Sequence, residues 1–569
     1  MTTALRRRDL GWLAAGAVLS FFLASVLLTG WPAGLVPNLQ HPYLYAGDGL
    51  LQFWMSQRAI EGWVFQNSRS GFPFGSSFLD FPGSDTGSLL VLKLLGKVSG
   101  SYFAANNLYL LLGFSAAFAA AFVVLLKISL PRATAFSGAL LFAFLPYHFA
   151  RLLMGHLFYT WYFVIPIYFY LGFKVSRLEV FKPRDMAIAA ALLLAASSFG
   201  VYFAFFGCLL IVVCGLFGLA RNRSYRPLLA AAFLCASIAV GVLLNIAPHL
   251  VNTWTHGSNP EVAQRSPVES EVYALKLVHL VLPHFLHRIT ELREFTQNYN
   301  KTFPLSNTVS ALGTVGTLGF LSMMLALFRS AAGRETDERT RLLMLSTLVM
   351  LLVATVGGLN VLFAIFVSPM IRGWDRISIF IAFFAIAAFF IAFDRWSRDK
   401  GLHPKATGLI LAVLTVVGLL DQTPSPSASA SLASAAVFHQ DRRFIAAIED
   451  MLPPKAAVYQ LPYTPFPEAG NLSQLGGYDL LVGFLNSREL RWSSGGMIGR
   501  QADVFYRNLF LKPLDEQLAV ARQLGFSGIY VDKAGYADGG RAVMDELSKL
   551  IGPPALSRED GRAVFFLLN

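Results

Sequence analysis

Asp48 is the residue that type and setting best equip for chemistry. It stands between two glycines in HPYLYAGDGLLQFWMSQRAIE (residues 41–61), directly after the first hydrophobic run. An acid kept beside a membrane-length apolar segment is costly unless something uses or pairs it. Such a carboxylate can take the proton from a hydroxyl as that oxygen attacks an electrophilic carbon, or it can hold a metal or substrate. The competing explanation is structural: Asp48 precedes a run of helical spacing and can serve as its N-cap. Trp54 and Arg58 share a face of that run at i, i+4, as do Gln57 and Glu61. This is the pattern of an amphipathic helix lying on a membrane surface.

Further candidates follow along the chain. Asp80 and Asp85, in DFPGSD, are either second carboxylates for a metal or sugar or ordinary turn acids. Asp85, nearer the next apolar run, is the stronger of the two. In FLPYHFARLLMGH (144–156), Pro146 ends or kinks a helix. Beyond it Tyr147, His148, Arg151 and His156 offer donors to a phosphate or sugar, or else form an aromatic belt with a snorkelling arginine. Arg372 and Arg376, in IRGWDRIS, sit at the end of a span where the positive-inside bias does not place them. Arginines beside apolar surface there want an anion such as a lipid phosphate, although Asp375 can pair with one of them. His279, His284 and His287 fit no zinc spacing and read as one face of a surface helix.

The elements that must position these residues are membrane spans. The chain has 569 residues, 55 % hydrophobic and 14 % charged, a composition of polytopic membrane proteins rather than soluble domains. The net charge of +12 does not indicate a nucleic-acid partner, because Lys and Arg fall in short gaps between apolar runs. The 3 cysteines lie inside apolar runs and offer no disulfide framework. Arg6, Arg7 and Arg8 before Leu13–Leu28 resemble a signal peptide, but no cleavage site is evident after the run, so it reads as a retained first span. About eleven runs approach spanning length: 11–30, 102–126, 134–146 (extendable to 151), 157–173, 186–197, 201–220, 228–250, 309–328, 342–356, 377–393 and 407–420. Basic residues cluster in alternate gaps (127–132, 174–184, 221–226, 329–341 and 395–405) on the side of the N-terminal arginines, which places that side in the cytoplasm.

The expected architecture is a multi-pass α-helical membrane protein of about eleven transmembrane helices, N-terminus in and C-terminus out, with a C-terminal extracytoplasmic α/β domain. Residues 1–420 form the polytopic unit, with outer loops 31–101 and 251–308. The Ser/Ala/Pro-rich 421–440 stretch reads as a linker. In 441–569, strands such as AAVYQL, GIYV and AVFFLL alternate with helices, as in a small α/β domain.

This combination resembles the GT-C glycosyltransferases: a first span, a large outer loop opening with an acid, many further spans and an outer α/β tail. More narrowly, GDGLLQFW, the FPFG and DFPGSD run, FLPYHFAR with the later Gly-His, YALKLVHLVLP and IRGWDRIS resemble a bacterial membrane-protein group of sugar-transferase type. The resemblance implies a bacterial inner-membrane enzyme that moves a sugar from a polyprenyl-phosphate carrier to a glycan, lipid or protein acceptor. It makes Asp48 the base or the metal or substrate ligand. Arg372, Arg376 and Arg151, helped by His148, Tyr147, His156 and Asp85, would bind substrate phosphate or sugar, and Trp54, Tyr147 and Trp374 would stack on sugar rings. Asp48 lacks the tandem acid of the family pattern, so a divalent metal on Asp48 and Asp85 is one alternative and metal-independent inverting transfer the other. Two other readings stand beside this one, a flippase for lipid-linked sugars and a non-catalytic envelope-assembly protein. The near absence of charge within the spans argues against translocation.

Overall fold

A computed structural model describes residues 5–83, 85–177, 182–302, 309–425 and 428–568. Ser84, residues 303–308 of the second loop and residues 426–427 of the expected linker lie outside the described residues. Each run read as a span carries a helix, and among the described residues 8 helices are long and apolar enough to cross a membrane. Val164–Ser176, Pro183–Ala196 and Glu338–Ala354 are shorter, at 13, 14 and 17 residues.

Burial sorts the helices into centre and periphery. The Trp374–Asp399 segment is apolar on every face and almost wholly buried, as is Arg132–Leu153, so these two occupy the centre. Arg7–Thr29, Arg226–His256 and Pro404–Gln422 expose rows of Leu and Val, the surface that faces lipid. Gly319 lets the Gly313–Ala331 helix approach the central one: a Cβ there would stand 2.0 Å from the Ala385 carbonyl oxygen. At the end carrying the basic gaps, Arg132 pairs with Asp9, and Arg221 with Glu338.

The opposite end carries the α/β unit. Its five-stranded sheet runs in the order Arg491–Trp492, Ala457–Leu461, Phe526–Asp532, Ala563–Leu567, Leu556–Ser557. The first three are parallel and the remaining pairings antiparallel. Alternation along the strands divides the sheet between two cores. Tyr459, Leu461, Ile529, Val531 and Phe566 pack with Leu518 and Leu547 of the outer helices. Val458, Tyr530 and Phe565 belong instead to the core continuous with the helical bundle.

Two expectations are corrected here. The 421–440 stretch is not a loose strap throughout, because the chain is helical from Ala428 to Met451. Alanine favours helix, and Phe438, Ile445 and Ile448 supply it with a buried face. Nor does the Asp48–Glu61 helix lie on a membrane surface. It is clamped between bundle and tail, with Trp54 and Arg58 both at 0 % exposure. Trp54 packs on Phe78 and Phe466, and Arg58 reaches Ser76 through both terminal nitrogens (2.8 and 2.9 Å). The first loop also pairs along the sheet's edge strand: Trp492 N–H donates to the Arg69 carbonyl (2.7 Å), and Phe72 N–H to that of Trp492 (3.0 Å). The edge is thereby covered.

Candidate active site

Asp48 is the first residue of its helix, with Gly47 at the capping position, and its side chain caps nothing. It is half-exposed, and its Oδ2 lies 2.9 Å from His156 Nε2. The approach is set by backbone. Gly155 has φ +72, and a Cβ on it would stand 2.2 Å from the Gly49 nitrogen and 2.8 Å from the Asp48 carbonyl carbon. Only glycine fits so close a crossing at that dihedral. Gln52, one turn along the same helix, accepts from Leu157 N–H at 2.7 Å and fixes the register of the two segments.

Behind His156 runs a chain of polar contacts into the bundle. Arg151 Nη1 is 3.4 Å from His156 Nδ1, and Arg151 Nη2 is 2.8 Å from Asp375 Oδ2, with both members of that ion pair fully buried. A guanidinium can only donate, so Nδ1 must accept and the imidazole proton sits on Nε2, facing Asp48. Burial lowers the His156 pKa; the Asp48 hydrogen bond opposes this, and the charges of Arg151 and Arg376 reinforce it. The neutral imidazole is thus the form that bridges Arg151 and Asp48.

Arg376 connects to His156 through the ring of Tyr159, which lies against both. Its guanidinium is sandwiched between the rings of Tyr159 (4.1 Å) and Tyr202 (4.0 Å), and Nη1 donates to the Tyr159 hydroxyl (3.0 Å). Among the described residues it has no carboxylate within 4.0 Å, and its Nε is buried without a partner. Asp85 is the capping residue of the Thr86–Ser99 helix but makes no capping hydrogen bond. Its Oδ1 is buried and unpartnered, and burial, opposed by Arg376, pushes its pKa up to about 7. The Tyr147 hydroxyl and Trp374 Nε1 are further buried polar atoms without partners. Such a concentration of unsatisfied groups is unusual in a native interior and marks a place built to receive polar atoms.

The sequence candidates therefore fall into two sets. Asp48, His156, Arg151, Arg376, Tyr147 and Asp85 converge. Arg372 lies at the rim, paired with Glu269 and 3.9 Å from Glu468 of the tail. His148 is deeper, stacked on Phe114 at 3.5 Å and bonded to the Tyr162 hydroxyl. Trp54, buried under the tail with its indole N–H on Ser70 (3.1 Å), has no face open for a sugar. Trp374 is likewise fully buried. Asp375 pairs with Arg151, not with Arg372 or Arg376. Tyr159, Tyr202, Gly155 and Gln52 were not singled out from sequence, although Tyr159 lies only three residues past His156. Among the described residues no group of three or more His, Cys, Asp or Glu is arranged to hold a metal ion.

This fold has solved counterparts. ArnT from Cupriavidus metallidurans in the apo state superposes with a TM-score of 0.54 at 12 % identity, over 98 % of this chain and 97 % of that one. The same protein bound to undecaprenyl phosphate gives 0.51 at 11 % identity, over the same shares. The archaeal oligosaccharyltransferase AglB from Archaeoglobus fulgidus, in complex with an inhibitory peptide and a dolichol-phosphate, gives 0.45 at 11 % identity, over 94 % and 72 %. No family model and no curated protein sequence matches the chain. At these identities the likeness shows the fold alone: a multi-pass helical membrane protein built like ArnT.

Proposed function

We propose that this protein is a membrane glycosyltransferase that moves a sugar from a polyprenyl-phosphate carrier to an acceptor hydroxyl of a glycan, lipid or protein at the outer face of a bacterial inner membrane. The observation that carries the reading is a half-exposed carboxylate, Asp48, joined through His156 and Tyr159 to Arg376, a cation with no ion pair among the described residues, at the tail-covered end of the bundle. The orientation rests on the basic gaps, which all lie at the other end. The GT-C counterpart of matching length was captured with undecaprenyl phosphate, which supports a lipid-phosphate donor.

In this reading Asp48 accepts the proton of the acceptor hydroxyl as its oxygen attacks the anomeric carbon. The bond from that carbon to the phosphate oxygen breaks, and the electron pair leaves with the polyprenyl phosphate. Arg376, held rigid between two tyrosines, faces the charge that develops there, with Arg372 at the rim. His156 keeps one N–H on Asp48 and so orients the carboxylate, while Arg151 and Asp375 fix its tautomer. Tyr147 and Asp85 contribute free polar atoms to the sugar or phosphate. A divalent metal on Asp48 and Asp85 is the alternative form of the same site. The test is Asp48→Asn, assayed in membranes with labelled polyprenyl-phosphate sugar. Transfer should drop by about 100-fold or more, within the range expected for loss of a general base; undiminished transfer refutes the base role.

A further inference from the structure

A second cavity lies away from Asp48, between the first loop and the tail, with a volume of about 870 Å³. That is at the upper end of the range for small-molecule sites. It opens where the loop after Arg491–Trp492 leaves the sheet, and Met497, Arg500 and Gln501 line one wall.

The chemistry of the lining narrows the occupant. Its strong charges cancel in pairs: Arg500 grips Asp80 through two bonds (2.9 and 2.6 Å), and Arg69 pairs with Glu61. Neither arginine is left over for a phosphate. What remains is neutral and polar, with the side chains of Gln66, Ser68 and Gln501 exposed and, among the described residues, without hydrogen-bond partners. The ring of Phe74, 37 % exposed, stands among them. Amides, hydroxyls, internally neutralised ion pairs and one open aromatic face suit the alternating hydroxyl edges and C–H faces of a sugar chain. The walls are pre-formed, because Gly71 N–H donates to the Ser494 carbonyl (2.8 Å) and Asn252 Nδ2 to Asp80 (3.0 Å).

We propose that this groove binds a neutral oligosaccharide stretch. That the stretch belongs to the acceptor rests on the transfer reading above. The Asp48–Glu61 helix separates the two sites: Asp48 opens it and Glu61 lines the groove at its far end, about 20 Å away at 1.5 Å per residue. A monosaccharide cannot reach both places, so an acceptor engaged at Asp48 and in the groove is a chain of several sugars.

The test uses the full-length protein in nanodiscs, titrated calorimetrically with linear gluco-, manno- and arabino-oligosaccharides from disaccharides upward, and with inorganic phosphate. One neutral ladder should bind more tightly as it lengthens, and phosphate should not compete. The Gln66→Ala/Gln501→Ala double variant should weaken that binding by about tenfold, the loss expected for two hydrogen bonds. Phe74→Ala, which removes the open ring without touching the ion pairs, should weaken it also. The base role is read by transfer in Asp48→Asn and the groove by binding in the groove variants, so failure of the one and failure of the other are seen in separate experiments. Absence of binding by every ladder, affinity flat with length, displacement by phosphate, or indifference to both variants would overturn the proposal.

Discussion

Replacing Asp375 with asparagine isolates the buried end of the relay behind Asp48. The side chain keeps its shape and an acceptor oxygen, while Arg151 loses its counter-charge in a fully buried position. At the observed 2.8 Å and an effective dielectric of about 20, the gross attraction is about 6 kcal/mol. Solvation offsets much of that, and removing one partner of a buried pair costs about 3–5 kcal/mol because a lone charge remains. Since Asn still accepts a hydrogen bond, we expect about 3 kcal/mol, near the low end of that range. The assay is unfolding of purified protein in nanodiscs for the wild type, Asp375→Asn, Arg151→Met and the double variant. Arg151→Met on top of Asp375→Asn removes the stranded charge and should restore at least half of the lost stability. Transfer should stay low in the double variant, because His156 Nδ1 has then lost its donor. A single-variant cost below about 1 kcal/mol, or a double variant no more stable than the single, would refute the reasoning.

Gly155→Ala should cost about 1–2 kcal/mol for the left-handed dihedral and about 1–3 kcal/mol for overpacking against Gly49, and should lower transfer about 100-fold by moving His156 off Asp48; an unchanged rate would show that the crossing does not position the pair. Asp85 retains its proton up to about 7 in the folded state, whereas the unfolded chain releases it near 3.8. Stability from this group therefore falls as pH rises between those values and is flat above. Asp85→Asn should gain on the wild type across that window and hold the gain at higher pH, and a melting-temperature difference constant with pH would contradict it. Trp54→Ala should destabilise the docking of the tail by about 3–5 kcal/mol and expose it to protease; a stable variant with only a raised KM would instead make Trp54 a sugar platform.

How much was legible in the sequence differed by the range of the contact involved. Asp48 stood out because an acid beside an apolar run needs a reason, and Arg376 because it broke the charge bias. Those are local signals. The partner of Asp375 was not legible, since Arg151 lies 224 residues away and only the packing of the central helices brings them together. The face formed by Trp54 and Arg58 was visible as a pattern, but not what covered it, because period 3.6 shows a buried stripe and is silent on whether lipid or protein does the burying. The Ser/Ala stretch misled for a related reason: small residues suit a linker or a helix equally until Phe438 meets Tyr45 and Phe103 and Phe444 meets Tyr530 of the sheet.

The division of the tail's sheet between two cores has a consequence for how the protein is made. Asp48, Trp54 and Arg58 emerge from the ribosome about 400 residues before Phe466 and Gly495, which close over that first loop. Until that later part is made, the first-loop helix has no roof and the sheet's inner face has nothing to rest on. Nascent chains should therefore be inert even with every span inserted. A tail expressed alone would carry Val458, Tyr530 and Phe565 into water, so activity cannot be rebuilt by moving this domain as a cassette between scaffolds.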